Sequence, residues 1–266
     1  MTFTEHTAPN GVLYLTAPTI ACRHAFTTRI GGVSTGHLAG LNLSVNRDPD
    51  FAHVAENYRR LGEATGIDTG HMAFTKQVHG AVVRTVTDAD AHVLGTPMPY
   101  EADGLVTNTL GLALICFTAD CVPVLLSDAR HGVIAAVHCG WRSSVADILR
   151  VALDAMRALG AHAETTAAAI GPAISRCCFE VGGEVVEAVD AYLGGDSAGL
   201  WSVSESCEGK YYLDLKAANA RRLAQLGVPE NAIAVSDDCT YCLPDKYWSH
   251  RYTKGKRGNQ GAIITL

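Results

Sequence analysis

The stretch DGLVTNTLGLALICFTADCVPVLLSDARHGVIAAVHCGWR, residues 103–142, decides the fold of the chain. It contains three short runs rich in β-forming residues, 112–117, 122–127 and 132–138, and the first has the continuous apolar pattern of a strand buried on both faces. The polar segment 128–131 separates the second run from the third and precedes a glycine. This arrangement predicts a β-hairpin with a four-residue loop.

The register of this hairpin brings two reactive side chains together. If Ser127 pairs with Gly132, counting back along the antiparallel ladder places Cys121 directly opposite His138. Directly opposed Cβ atoms lie about 4.5–5.5 Å apart, which suits two ligands of one metal ion or a thiol beside a base. Pro123 has no N–H to donate, so this end of the strand is expected to be an edge or a bulge. The alternative for Cys121 is a small buried core residue.

Composition and charge narrow the class of protein. The 266 residues carry a net charge of −6, which argues against nucleic acid or an anionic membrane surface as the main partner. No apolar stretch approaches the roughly 18 residues of a membrane span, and the N-terminus lacks the pattern of a secretory signal. Nine irregularly spaced cysteines favour free thiols or metal ligands over a disulfide framework. We therefore expect a cytoplasmic protein.

Predicted elements are spread over the whole chain. Strands are expected from 12–15 to 262–266, with no linker that divides the chain into two stable halves, so we predict a single domain over residues 1–266. Hairpins and helical crossovers both occur, which indicates the mixed α/β class, with a mixed sheet flanked by helices. Helices are predicted at 50–65, 143–159, 184–193 and 213–226, and the second of these is the most regular. Ser143 or Ser144 would cap its N-terminus.

Other candidate residues lie at the ends of predicted elements. His79 follows the predicted strand 72–77 and precedes a glycine, where a site residue is well placed, although an exposed surface histidine is the alternative. Arg142 stands before the helix predicted at 143–159 and would either hold an anion such as phosphate there or pair with a carboxylate. The short basic segment 251–257 is either a solvated loop or one that contacts an anion.

Four further cysteines form two local pairs. Cys239 and Cys242 have the CxxC spacing of a zinc or redox site, but the sequence has no second CxxC or HxxxH to complete it. Cys177 and Cys178 are adjacent, and a disulfide between neighbours is strained, so we expect buried thiols.

Several segments together resemble the bacterial YfiH-like family, also called laccase-domain or multicopper polyphenol oxidoreductase proteins. In chain order they are RIGGVS (29–34), GLNLS (40–44), KQVHG (76–80), DGLV (103–106), TADCVP (118–123), AVHCGWR (136–142), IGP (170–172), CFEV (178–181) and CT (239–240). The chain departs from the family pattern at Cys139 and Ser143, where that pattern has Ala and Gly, and at 248–252, where WSHRY replaces a more usual FSYRR.

The resemblance implies a metal site and an activity. In that family the residues matching His79, Cys121 and His138 bind a metal best described as zinc, which leaves a fourth position for water or substrate. Better characterised relatives cleave purine nucleosides with phosphate, and some also deaminate adenosine. The resemblance therefore implies a zinc-dependent purine nucleoside phosphorylase acting on adenosine or inosine, with adenosine deamination as a side activity.

Three other functions remain open at this point. A cytoplasmic amidase that edits peptidoglycan precursors would use Cys121 as nucleophile and His138 as base. A binding or sensor protein would use the same residues only to hold a nucleotide or a metal. A copper-dependent polyphenol oxidase (laccase) is disfavoured, because the 11 histidines contain no His-x-His pair, although copper could replace zinc in the site.

The phosphorylase hypothesis assigns roles to five further residues. Asp120 is expected to act as a catalytic base or to anchor a histidine ligand. Arg29 and Arg142 are candidates to hold phosphate, because guanidinium matches phosphate oxygens. Gln77 is expected to bond the base or the ribose, and Asn42 to bind substrate. The sequence gives no indication of oligomeric state.

Overall fold

The computed structural model describes residues 2–266. In it, the β-rich stretch 103–142 forms four strands that are consecutive in the chain. Within these residues the strands are β1 (Thr4–Thr7), β2 (Leu13–Thr16), β3 (Arg23–Thr27), β4 (Met72–Ala73), β5 (Val83–Thr85), β6 (Gly104–Thr107), β7 (Ala113–Thr118), β8 (Val122–Asp128), β9 (Val133–Cys139), β10 (Ala167–Ile170), β11 (Glu180–Gly182), β12 (Trp201–Val203), β13 (Lys210–Leu213), β14 (Ile233–Val235) and β15 (Gln260–Thr265). The α-helices are α1 (Phe51–Thr65), α2 (Trp141–Val145), α3 (Ile148–Ala158), α4 (Gly183–Tyr192), α5 (Leu215–Gln225) and α6 (His250–Thr253).

The strands form two large mixed sheets and one small one. The first large sheet has the order β1-β2-β3-β15-β7-β4, and the second has the order β14-β10-β8-β9-β6-β5. The strands β11, β13 and β12 form a third, antiparallel sheet. The predicted mixed α/β class is confirmed, with the strands of the core divided between two sheets.

The two large sheets pack face to face, and helices cover their outer faces. Alternate residues of β7 show this: Leu114 and Cys116 pack between the sheets, whereas Ala113 and Ile115 face the side covered by α1. Strand β9 alternates in the same way between the second sheet's inner face and the face covered by α3. Both faces of the central strands are therefore apolar, which explains their continuous hydrophobic runs.

The hairpin β8–β9 forms with a register two residues away from the predicted one. Its loop is residues 129–132, and Asp128 pairs with Val133, so Pro123, not Cys121, lies opposite His138. The predicted pairing of Ser127 with Gly132 is wrong because Asp128 continues the strand. A shift of two residues keeps every side chain on its expected face, since the side-chain period of a strand is two.

The helix predicted over 143–159 is divided into α2 and α3. The division lies at Asp147, whose φ of 62° is in the left-handed region. Its carboxylate accepts hydrogen bonds from Arg222 at 2.6 and 3.0 Å and from Arg150 at 2.7 Å. The predicted capping role of Ser143 and Ser144 is wrong, because both lie buried inside α2.

The other predicted helices agree with α1, α4 and α5 to within two residues at each end. Asp50 and Asp214 cap α1 and α5 through side-chain hydrogen bonds to the first-turn N–H groups of Ala52 and Ala217. In the part of the chain from residue 2 onward, no helix combines the length and the hydropathy of a membrane span.

Candidate metal centre

Three side chains that are far apart in the sequence converge at one end of the β8–β9 hairpin. The ligand atoms of His79, Cys121 and His138 all lie within 4.8 Å of one another. The Sγ atom of Cys121 is 3.8 Å from Nε2 of His79. The two imidazole rings are nearly perpendicular, at 85°, with their centroids 4.8 Å apart. The structure thus brings together the three residues predicted as metal ligands.

Each of these residues is positioned by a different local feature. His138 belongs to β9, and Cys121 directly precedes β8 after a sharp turn in which Asp120 has a φ of 92°. His79 itself has a φ of 62°, an uncommon conformation for a residue with a Cβ. Such strain persists only where the surroundings hold it, and it concentrates at functional sites.

Asp103 holds two of the three residues in place. Its carboxylate accepts hydrogen bonds from the backbone N–H groups of Val78, His79 and Gly80, at 3.1, 2.9 and 2.8 Å. It also accepts a hydrogen bond from Nδ1 of His138 at 2.8 Å, which leaves Nε2 of that ring for the centre. Burial alone would raise the pKa of Asp103, but the bonds to His138 and to the loop lower it. No role was predicted for Asp103 from the sequence.

The electrostatics of the centre favour a thiolate beside an imidazolium. Burial would raise the pKa of the Cys121 thiol, but the charges and hydrogen bonds of His138 and His79 lower it to about 6. Burial would lower the pKa of His138, but Cys121 and Asp103 raise it to about 9. A thiolate with neighbouring imidazoles can serve either as a metal ligand or as a nucleophile.

The three side chains line a cleft of about 270 Å³. Its other walls include the apolar Met98 and Phe117 and the cationic Arg47 and Arg257. Arg257 donates one hydrogen bond from Nη1 to the carbonyl of Gly258, at 3.2 Å, while its buried Nε has no partner. Burial and the nearby Arg47 lower the pKa of Arg257 to about 10, so the guanidinium stays charged at neutral pH.

The carboxylate of Asp120 is not hydrogen-bonded to a histidine. Its carboxylate accepts hydrogen bonds from the hydroxyl of Thr240, at 2.7 Å, and from the N–H of Arg251, at 2.6 Å. The histidine anchor expected at Asp120 is Asp103 instead. Asp120 ties two later loops to the turn that carries Cys121.

The two arginines that were predicted to hold phosphate, Arg29 and Arg142, lie outside the cleft. The Arg29 guanidinium donates to the carbonyls of Pro244 and Ala39 and stacks 4.0 Å from the ring centroid of Trp248. Arg142 stacks on Trp141 at 4.4 Å. Neither arginine lines the cleft. The cations that do so are Arg47, Arg257 and Lys76, and Lys76 is paired with Glu101 at 2.7 Å. None of them carried a predicted role, although the segment 251–257 was expected to be either solvated or in contact with an anion.

The two amide side chains that were predicted to contact substrate form hydrogen bonds within the protein instead. Gln77 lines the cleft, but its side chain donates to the carbonyl of Phe117 and accepts from its N–H, at 2.8 and 2.7 Å. Asn42 is buried, and its Oδ1 accepts from the N–H groups of Ser44 and Asn259. Gln77 thus forms part of the cleft wall, and Asn42 supports the wall through Ser44 and Asn259.

Comparison with known proteins identifies the family. The model of the "multi-copper polyphenol oxidoreductase laccase" family matches residues 23–266. The chain belongs to this family. A relative in the laccase family from Deinococcus radiodurans, named purine nucleoside phosphorylase, is 41% identical over 260 residues, which cover 98% of this chain and 95% of that protein.

Two solved structures have the same fold. YlmD from Geobacillus stearothermophilus superposes with a TM-score of 0.90 at 32% identity, with 98% of both chains covered. In sequence, the purine nucleoside phosphorylase YlmD of that organism is 36% identical over 90% of this chain and 88% of its own length. The protein YfiH from Bacillus licheniformis also gives a TM-score of 0.90, at 28% identity and 98% coverage of both chains.

The three side chains of the centre suit one metal ion, but they are too few for the several copper ions that the family's name implies. Two imidazole nitrogens and a thiolate are ligands of both zinc and copper. A multi-copper centre needs further groups of histidines, however. Among residues 2–266, the other close group of three or more His, Cys, Asp or Glu side chains consists entirely of cysteines.

Proposed function

We propose that this protein is a zinc-dependent purine nucleoside phosphorylase of the cytoplasm, which converts adenosine or inosine and phosphate into the free base and ribose 1-phosphate. The convergence of His79, Cys121 and His138 on a cationic cleft carries the proposal. The names of the relatives from Deinococcus radiodurans and Geobacillus stearothermophilus support it.

In this proposal, Arg257 and Arg47 of the cleft bind phosphate. Arg257 is half-buried and charged, and its Nε has no partner; partial burial and the nearby Arg47 together lower its pKa. Two guanidinium groups that repel each other gain free energy when an anion lies between them. An oxygen of the bound phosphate attacks C1′ of the ribose, the C1′–N9 bond breaks, and the proton that phosphate loses passes to the leaving base.

The cleft also offers contacts for the purine. Met98 and Phe117 provide an apolar surface on which a purine ring can stack. Asn259 also lines the cleft, and its buried Oδ1 has no hydrogen-bond partner. That oxygen can accept a hydrogen bond from an amine or a protonated ring nitrogen of the base.

His79, Cys121 and His138 would hold the zinc ion, and Asp103 would fix the orientation of His138. Bound there, zinc would supply Lewis-acid catalysis beside the reacting groups. In the same cleft, water could displace the 6-amino group of adenosine as ammonia, which is the proposed side activity.

The experiment is a product assay on the purified protein with adenosine or inosine, in the presence and absence of phosphate. We expect release of adenine or hypoxanthine that requires phosphate, stops with a zinc chelator and returns when zinc is added. Inosine formed from adenosine without phosphate would report deamination. The absence of chelator-sensitive product from every purine nucleoside tested would contradict the proposal.

A second candidate is supported by one observation, the chain of contacts from Cys121 through His138 to Asp103. This is the arrangement of a thiol hydrolase, in which the thiolate attacks an amide carbonyl and His138 gives a proton to the leaving amine. Water then hydrolyses the thioester. Such an amidase would keep its activity with a chelator, and its metal-free Cys121 would be alkylated rapidly. The phosphorylase would lose its activity with a chelator, and bound zinc would protect Cys121 from alkylation.

A further inference from the structure

A second group of thiols lies apart from the candidate metal centre. The Sγ atoms of Cys177, Cys178, Cys239 and Cys242, here called the cysteine cluster, all lie within 4.8 Å of one another. Cys242 Sγ is 3.3 Å from Cys178 Sγ and 3.6 Å from Cys177 Sγ. None of the four takes part in the proposed phosphorylase reaction.

Two turns of the backbone bring these thiols together. One turn includes the adjacent Cys177 and Cys178, and the other spans the CxxC segment from Cys239 to Cys242. An isolated β-bridge between Ala173 and Cys239 holds the turns side by side. The sequence lacked a second CxxC to complete a site, but the fold supplies the adjacent pair in its place.

The cluster has a hydrogen bond that suits a thiolate. The backbone N–H of Ser175 donates to Sγ of Cys239 at 3.3 Å. An N–H donor stabilises a sulfur that carries negative charge, as a thiolate metal ligand does. The prediction that Cys177 and Cys178 are buried is wrong, because Cys177 is exposed and Cys178 is half-buried. Cys239 is buried and Cys242 is exposed, so a metal ion can enter from the solvent side.

We propose that the cysteine cluster binds a zinc ion in a tetrahedral Cys₄ site that is separate from the candidate metal centre. With Zn–S distances of about 2.3 Å, the sulfurs of such a site lie about 3.8 Å apart. The four thiols already lie near that spacing. Binding releases their protons and leaves the zinc without an open position, which is the arrangement of a structural site.

The position of the cluster gives this zinc a structural task. Thr240, between Cys239 and Cys242, donates its hydroxyl to Asp120, and the N–H of Ile174 donates to the carbonyl oxygen of Asp120. Asp120 directly precedes Cys121 in the chain. The ion would therefore tie together the two loops that support the turn carrying Cys121.

The zinc content of single-residue variants distinguishes the cysteine cluster from the candidate metal centre. We expect the full-length protein, purified under reducing conditions, to hold two equivalents of zinc, and each of Cys242→Ser and Cys121→Ser to hold one. Cys207→Ser, which alters an exposed thiol outside the cluster, keeps two. Zinc that is lost with Cys121→Ser and unchanged with Cys242→Ser overturns the Cys₄ proposal. Zinc that is lost with Cys242→Ser and unchanged with Cys121→Ser supports it and counts against the zinc-dependent phosphorylase.

Two further measurements use the unaltered protein, so their outcome does not depend on whether a variant folds. In the first, cobalt that replaces zinc should give intense thiolate-to-cobalt absorption. In the second, the cysteines of the cluster should resist alkylation until a chelator is added, whereas Cys207 reacts at once. An intact mass that shows a disulfide within the cluster in freshly reduced and repurified protein, or equal alkylation with and without chelator, overturns the proposal.

Discussion

The carboxylate of Asp103 bonds Nδ1 of His138 at 2.8 Å and so determines which nitrogen of that imidazole faces Cys121. The same carboxylate holds the loop that carries His79 through three backbone N–H groups. One buried acid thus orients two of the three proposed ligands, the usual task of an outer residue at a metal site.

Replacing Asp103 by Asn should weaken zinc binding at the candidate centre by about 10- to 100-fold. The amide lacks the negative charge, and its NH₂ group would face N–H donors of the 78–80 loop. The measurement is a competition titration with a chelator of known affinity. Asp128→Asn is the matched control, because Asp128 is also buried and bonds a histidine, His131, at 2.7 Å, away from the cleft. Equal zinc affinities for both variants and the unaltered protein would contradict the assignment.

Replacing Arg257 by Met should raise the KM for phosphate by about 10- to 100-fold, since a hydrogen bond to a charged group contributes about 1.5–3 kcal/mol. Methionine keeps part of the apolar stem, so packing changes little. Arg142→Met should leave that KM within about twofold, because Arg142 stacks on Trp141 and does not line the cleft. A larger effect from Arg142 than from Arg257 would restore the phosphate role predicted from the sequence.

Replacing Gly140 by Ala should disturb all three proposed ligands at once. A Cβ at this position would lie 3.0 Å from Cδ2 of His79, 3.4 Å from Sγ of Cys121 and 3.7 Å from Cε1 of His138. We expect weaker zinc binding, while the thermal midpoint falls by only a few degrees, as for a cost of about 1 kcal/mol. Gly80→Ala is the control, because its nearest contacts are at 3.7 Å. An unchanged zinc affinity in Gly140→Ala would show that the three side chains do not share an ion.

The buried carboxylate of Asp128 should make folding stability depend on pH. Burial would raise its pKa, but hydrogen bonds from His162, Thr165 and His131 lower it below the unfolded value of about 3.9. The carboxylate therefore stabilises the fold fully above that value, and the contribution falls as the pH drops through the folded pKa. In urea titrations from pH 6 to pH 3, the difference between the unaltered protein and Asp128→Asn should shrink. A difference that grows towards pH 3 would be the opposite of the expected sign.

The apolar patterns predicted most of the elements, and the errors arose where a single residue decided the geometry. Strands β7, β8 and β9 followed from runs that are apolar on both faces, but the hairpin register depended on whether Asp128 ended the strand. The division between α2 and α3 depends on a left-handed residue, Asp147, that bonds a distant arginine. The pattern of the local sequence does not indicate such a long-range contact.

The convergence of the three side chains in the candidate centre was predictable from the sequence, and the surroundings of these side chains were less so. Cys121 and His138 came from hairpin counting, which remained useful because a shift of two residues preserves the face of the sheet. His79 came mainly from the family resemblance. Asp103 and Arg257 were missed because their roles depend on long-range contacts, although an acid at the start of a buried strand was a usable signal for Asp103.

The placement of β15 has a consequence for biosynthesis. This strand lies between β3 and β7, so residues 260–265 fill the middle of a sheet whose neighbouring strands leave the ribosome far earlier. Until it arrives, β3 and β7 both present unpaired edges, and Asn259 and Arg257 have no fixed place beside the cleft. A nascent chain would therefore be unable to assemble the cleft before residues 257–265 have left the ribosome.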